Sequence, residues 1–104
     1  MTRPALSVVV PTIASRGAYL HRCLAALSRC HGREALEILV VSEEPSALED
    51  RLGEIGRGLD TRVVPGPAPA ARKRNAGTLA ARADVIAFLD DDTRPDPGWA
   101  RALL

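Results

Sequence analysis

The chain has 104 residues, 46% of them hydrophobic and 26% charged, which suits one small globular domain with a modest core and excludes a disordered segment. With 14 basic residues against 13 acidic, the net charge is +1, and aromatics make up 3%. Nothing in that balance argues for nucleic-acid binding, and no apolar stretch is long enough to span a membrane.

The N-terminus carries one arginine and then a short apolar run broken by Pro11, which is not a signal peptide, so a cytoplasmic location is the default expectation. Residues 6–10 are apolar and β-branched, the mark of a central strand. Pro11 should end it, because proline cannot donate to a ladder. Residues 12–17 form a loop. Leu20, Cys23, Leu24 and Leu27 then recur at i, i+3, i+4, i+7, one face of an amphipathic helix with Gly32 as its expected stop. On one helix Cys23 and Cys30 would be separated by roughly 10 Å of rise, too far for a disulfide. Both are expected as reduced thiols, Cys23 in the core and Cys30 near the helix end. His21 and His31 are expected at the surface, and no Cys/His spacing resembles a metal site.

Residues 36–41 form a second buried strand, and 42–45 the loop after it. Ser46 with Glu49 has the spacing of a capping box. Leu48, Leu52 and Ile55 give the following helix an apolar stripe, ended by Gly56 and Gly58. Residues 62–64 are a short third strand. The loop 65–69, Pro-Gly-Pro-Ala-Pro, is stiff and irregular. A third helix is expected over 70–83, with Ala76, Leu79, Ala80 and Ala83 as a thin apolar face. Residues 85–89 are the fourth buried strand. Asp96 and Pro97 suit the N-cap and first position of a last helix that carries Trp99, Leu103 and Leu104.

Strand and helix alternate, so the fold class is α/β: a mostly parallel, Rossmann-like sheet flanked by helices in one domain over residues 1–104. Loops 12–17, 42–45, 65–69 and 90–94 then share one edge, where such sheets bind ligands.

The densest chemistry on that edge is Asp90-Asp91-Asp92, directly after the fourth strand. In an extended segment Asp90 and Asp92 share a face and Asp91 turns away. Hard cations such as Mg2+ take one or two carboxylates plus substrate phosphates, and a cation would relieve the mutual repulsion of three carboxylates. A solvated acidic turn is the alternative. Arg72, Lys73 and Arg74 crowd the first turn of the third helix, where the macrodipole disfavours cations by about 0.3–1 kcal/mol each. A nearby anion, whether a diphosphate or the aspartates, would remove that cost; side chains snorkelling into solvent would also lower it. Glu43 and Glu44 could accept hydrogen bonds from a ribose or a base, or simply be solvated, and Thr12 and Arg16 share that ambiguity. No GxxxxGK[ST] loop or GxSxG elbow is present, and Gly53, Gly56 and Gly58 have the wrong order for a dinucleotide fingerprint.

Several segments resemble family 2 glycosyltransferases of the GT-A fold: Ser7-Val8-Val9-Val10-Pro11-Thr12, Glu37-Ile38-Leu39-Val40-Val41, Arg74-Asn75-Ala76-Gly77, and residues 83–92 through the three aspartates. Pro95, Pro97 and Trp99 continue the match. The resemblance covers nearly the whole chain in order and spacing. It implies the donor-binding half of an inverting enzyme that transfers a sugar from a nucleotide-diphosphate sugar to an unknown acceptor. Thr12, Glu43, Arg74, Asp90 and Asp91 would bind the nucleotide sugar. Asp90 and Asp92, as the DxD motif, would hold Mg2+ or Mn2+. Ser42 and Glu43 stand where the family usually has two aspartates, and Ile13 where it often has an aromatic residue. Family members run on past this point, so the acceptor region and catalytic base are expected beyond Leu104. Without that half, an uncovered sheet edge would favour self-association. Two other readings are a non-catalytic fragment or binding-only domain, and a Mg2+-dependent phosphotransferase of the haloacid dehalogenase type. The latter pattern wants Thr or Val where Arg94 stands, and its motif normally opens the domain.

Overall fold

The computed structural model describes residues 3–55 and 58–104. The expected helix stop at Gly56 and the side chain of Ile55 lie outside the described residues. Strands β1 (Leu6–Pro11), β2 (Leu36–Ser42), β3 (Asp60–Pro65) and β4 (Ile86–Phe88) form one sheet in the order β3-β2-β1-β4. Every pairing in it is parallel. The helices are α1 (Gly17–Ser28), α2 (Pro45–Ile55), α3 (Ala70–Ala80) and α4 (Trp99–Leu103).

The two-residue period of the strands divides the core. Leu6, Val8, Val10, Leu36, Ile38 and Val40 share one cluster with Leu20, Cys23, Leu24 and Leu27 of α1 and Leu48 and Leu52 of α2. Val9, Leu39 and Val41 point to the other face, against Ala76 and Ala80 of α3. The expected faces of α1 and α2 are therefore the buried ones.

Several boundaries move. Pro11 is the last residue of β1, at the strand end, where a missing N–H costs no ladder bond. The first helix ends at Ser28, and Gly32 (φ +82°) instead turns the chain toward β2. Both cysteines are free and buried, and both histidines are exposed. Pro45 opens α2 as a first-turn proline. Ser46 is thus inside the helix and not a cap, while Ser42 Oγ accepts the N–H of Glu44 at 3.2 Å. The last helix begins at Trp99, two residues after Pro97, with Gly98 and not Asp96 in the N-cap position; the Asp96 carbonyl accepts the Trp99 N–H at 2.9 Å in the turn that leads into it.

The third helix departs most from expectation. It stops at Ala80, and Ala83 is buried beyond its end. Leu79, expected to face inward, is 88% exposed. It lies about 200° around the helix from Gly77, which faces the sheet. Close approach explains the choice: a Cβ on Gly77 would collide with Val9 Cγ1 and sit 3.2 Å from Val41 Cγ2. We expect Gly77→Ala to destabilise the fold by about 1–3 kcal/mol through overpacking, outweighing the ~0.5–1 kcal/mol that alanine normally adds in a helix. Urea unfolding measures the sign, and a stabilised variant would contradict the close packing.

The fourth strand is not buried as expected. It lies at the sheet edge, with Val85 53% and Phe88 51% exposed. Its inner side is bonded to β1 through Ser7 N–H to Val85 O (2.9 Å) and Leu89 N–H to Val9 O (3.0 Å).

The opposite end of the sheet holds a network that the motif analysis passes over. Glu37 is fully buried in β2. Ser7 Oγ donates to it at 2.6 Å, Arg62 Nη2 at 2.9 Å, and Arg82 through both Nε and its backbone N–H at 2.8 Å. Ser7 Oγ in turn accepts the Ala83 N–H at 3.1 Å. Burial opposes the charged carboxylate, but these donors outweigh it and bring its pKa from 4.5 to about 2. One side chain thus ties β1, β2, β3 and the α3–β4 connection together.

Candidate functional site

The strand order reverses at β1: β2 and β3 lie to one side and β4 to the other. A parallel sheet opens a crevice at the carboxyl ends of its strands at such a point. The loops after β1, β2 and β4 meet there, with the start of α3 as the fourth wall. The cleft has a volume of about 380 Å³ and is lined by Thr12, Arg16, Glu43, Pro69, Lys73 and the three aspartates, among others.

The aspartates divide by environment. Asp91 points inward with its side chain 8% exposed. It accepts from Thr12 Oγ1 at 2.8 Å and from Arg16 Nε at 2.9 and 3.0 Å to its two oxygens. Asp90 and Asp92 are 70% and 56% exposed, and among the described residues each meets only a distant arginine at 3.7 Å, Arg74 and Arg16 respectively. The extended geometry assumed from the sequence is not what separates them. The chain turns here, with Thr93 N–H bonded to Asp90 O at 3.0 Å. Arg16 also lies over the Tyr19 ring, 4.5 Å from its centroid, and Asp91 raises its pKa through hydrogen bonding and charge.

The basic triplet also divides. Arg72 is exposed, Arg74 leans toward Asp90, and Lys73 is buried. Lys73 Nζ donates to Thr12 O at 3.0 Å and pairs with Glu43 Oε1 at 2.8 Å. The hydroxyl of Thr12 is thus committed to Asp91 and its carbonyl to Lys73. Cys23 Sγ lies 3.9 Å from Asp90 O. Burial, reinforced by Asp91 and Asp92, pushes its thiol up to about 12, so it is no nucleophile at neutral pH.

Comparison with known proteins bears on this arrangement. The profile described as Glycosyl transferase family 2 matches residues 7–104. The chain belongs to glycosyltransferase family 2. It is 30% identical over 102 residues to the pre-mycofactocin glycosyltransferase of two Mycobacterium tuberculosis strains, covering 95% of this chain and 20% of theirs. This family 2 chain therefore spans about a fifth of the length of the curated relatives it matches. In fold it is similar to S. aureus TarS (TM-score 0.78, 21% identity, 94% of this chain and 18% of that one). A TarS fragment solved with UDP-GlcNAc gives a TM-score of 0.75 at 23% identity, over 94% of this chain and 29% of that one. The mannosyltransferase PcManGT of Pyrobaculum calidifontis, solved with GDP-Man and Mn2+, gives 0.68 at 24%, over 88% and 28%.

A metal site can be tested on the donor set alone. Among the described residues no three His, Cys, Asp or Glu side chains gather as a ready-made cage. Two exposed carboxylates without close partners are instead the set that Mg2+ or Mn2+ uses when phosphates and waters complete its shell. Asp90 and Asp92 fit that description, and Asp91, saturated by Thr12 and Arg16, does not.

The sequence offers Lys73, Arg16 and Asp91 as separate candidates, but not the pairing of Lys73 with Glu43 or of Arg16 with Asp91. A signal for Lys73 was present. It lies four residues before Gly77 on the sheet-facing side of α3, and a lysine on a buried stripe needs a partner.

Proposed function

We propose that this chain is the donor-binding part of a glycosyltransferase that binds a nucleotide-diphosphate sugar and, in the whole protein, passes the sugar to an acceptor with inversion. The observation that carries this reading is the cleft at the β1/β4 reversal. It has two exposed carboxylates, Asp90 and Asp92, at one end and the Glu43–Lys73 pair at the other. β2 and β4 are two strand spacings apart, about 10 Å, so a nucleotide laid along the edge would span both ends. In this reading Glu43 and Thr12 belong to the nucleoside side, and Arg74 stands beside Asp90 at the diphosphate side. Asp91 acts indirectly, by fixing the Thr12 loop. A bound Mg2+ or Mn2+ would neutralise charge developing on the nucleoside diphosphate leaving group. In this reading the cleft residues hold the donor, and the acceptor contacts and catalytic base are assigned to none of them. Two free buried thiols suit a reducing compartment, in keeping with a cytoplasmic location. Among the described residues no helix is long and apolar enough to cross a membrane. Calorimetric titration with UDP-, GDP- and dTDP-sugars, with and without Mn2+, tests the reading; no heat with any donor would reject it.

The exposed flank of β4 favours a second reading for the isolated chain, a binding-only domain that self-associates. Val85, just before β4, and Phe88, its last residue, are half exposed at an edge strand. Light scattering across a concentration series should show mass rising above that of one chain, and Phe88→Lys should reduce it. A monomer at all concentrations would dismiss self-association.

A further inference from the structure

The nucleotide-sugar reading gives Arg16 no role, yet Arg16 meets two of the three clustered aspartates. Its Nε donates to both oxygens of Asp91, at 3.0 and 2.9 Å. Its Nη2 lies 3.7 Å from Asp92 Oδ2, an ion pair too long to be a hydrogen bond. The guanidinium also stands over the Tyr19 ring, 4.5 Å from the centroid, so it is held from a second side. Two consequences follow for a cation in the cleft. Thr12 and Arg16 engage both oxygens of Asp91, so that carboxylate reaches a cation only by giving up Arg16. Arg16 and Arg74 also set two positive charges against the three carboxylates, and the cluster is left with a formal charge of one minus. Both effects weaken its hold on a bare dication.

We propose that Arg16 is a positioning residue that keeps Asp91 out of the metal's coordination shell, so that Mg2+ or Mn2+ is held firmly only together with a diphosphate. This rests on the nucleotide-sugar reading above and adds a residue to it. Asp90 and Asp92 alone offer the two carboxylates that such an ion uses when phosphates complete its shell. The phosphate oxygens supply the ligands and the negative charge that Arg16 withholds. Arg16 thereby makes the cleft responsive to the metal–nucleotide pair and not to free metal. It acts through Asp91 and touches no reacting atom.

The test follows the electron paramagnetic resonance of free aqueous Mn2+ as the unaltered chain, Arg16→Met and Arg22→Met are titrated, first with Mn2+ alone and then with UDP or GDP present. Arg22 stands over the same ring at 6.0 Å and carries the same charge, but it does not line the cleft, so it controls for charge at a distance. In the unaltered chain Mn2+ alone should bind weakly, and nucleotide should tighten it at least about tenfold. Arg16→Met releases Asp91 and removes one opposing charge. It should bind Mn2+ alone at least about tenfold more tightly, and the gain from nucleotide should shrink. Arg22→Met should match the unaltered chain. A merely structural Arg16 would lower the melting temperature and leave the affinity for Mn2+ alone unchanged or weaker, which overturns the proposal. An equal rise in Arg22→Met overturns it as well. Where Arg16→Met fails to fold, the unaltered chain still decides: a dissociation constant for Mn2+ alone below about 10 µM, the range of sites built from several carboxylates, overturns the proposal while leaving nucleotide binding standing. Failure to retain Mn2+ with either nucleotide overturns the nucleotide-sugar reading and this proposal with it.

Discussion

Replacing Asp90 and Asp92 together by alanine is expected to lower Mn2+-dependent donor affinity at least about 100-fold, or ~2.7 kcal/mol. Both carboxylates are exposed and only loosely met by arginines at 3.7 Å. Their removal strands no buried partner, so stability should shift by no more than about 0.5 kcal/mol. The loss would therefore report on binding and not on unfolding. The sign without metal is the sharper check. Two bare carboxylates repel a diphosphate, so in chelator the double variant should bind at least as well as the unaltered chain. Calorimetry in Mn2+ and in chelator gives all four numbers. Unchanged affinity in Mn2+ would remove Asp90 and Asp92 from the site. Asp91→Ala should behave differently: it leaves Thr12 Oγ1 and Arg16 without their acceptor, and should cost about 1–3 kcal/mol of stability.

Glu37→Ala is expected to be the most damaging single change to the fold, at about 3 kcal/mol or more. The two arginines around Glu37 are nearly half exposed and can return to water. Ser7 Oγ and the backbone N–H of Arg82 cannot do so as readily, and each would lose an acceptor worth about 1–3 kcal/mol when left unsatisfied. Against the ~5–15 kcal/mol that separates folded from unfolded states, that is a large share. The same residue sets an acid limit. Its folded pKa of about 2 lies below the ordinary value of 4.5. The stability it contributes is therefore fully present above about pH 4.5 and falls as the pH drops toward 2. Urea midpoints measured from pH 7 to pH 2 should decline through that window, and the Glu37→Gln variant should lack that component. A neutral Glu37→Ala, or an identical acid decline in Glu37→Gln, would show that the network contributes little.

Much of this protein was legible from residue order. Val8 and Val10 alternate with Val9, and Leu20, Cys23, Leu24 and Leu27 repeat at helical spacing. Such periods depend on which side of one element a residue faces, and that is a local property. The apolar run into Asp90 marked the edge where the cleft lies for the same reason. Two local expectations failed where neighbours decided. Leu79 was assigned inward by its apolarity, yet only the small face of α3 fits against Val9. Val85 and Phe88 suggested a buried strand, yet β4 lies at the edge of the order β3-β2-β1-β4, which strand periodicity does not specify.

The division of labour inside the site belonged to tertiary structure alone. Asp90, Asp91 and Asp92 are chemically identical, and their neighbours in the sequence do not distinguish them. Asp91 is set apart by Thr12, 79 positions away, and by Arg16, 75 positions away. Lys73 is separated from Arg72 and Arg74 by the Thr12 carbonyl, 61 positions distant, and by Glu43. Residue order determined an α/β sheet with carboxylates at a strand end. Folding decided which carboxylate turns inward to hold the loops and which two stay exposed in the cleft, because only the meeting of β1, β2, β4 and α3 brings the deciding partners within hydrogen-bond distance.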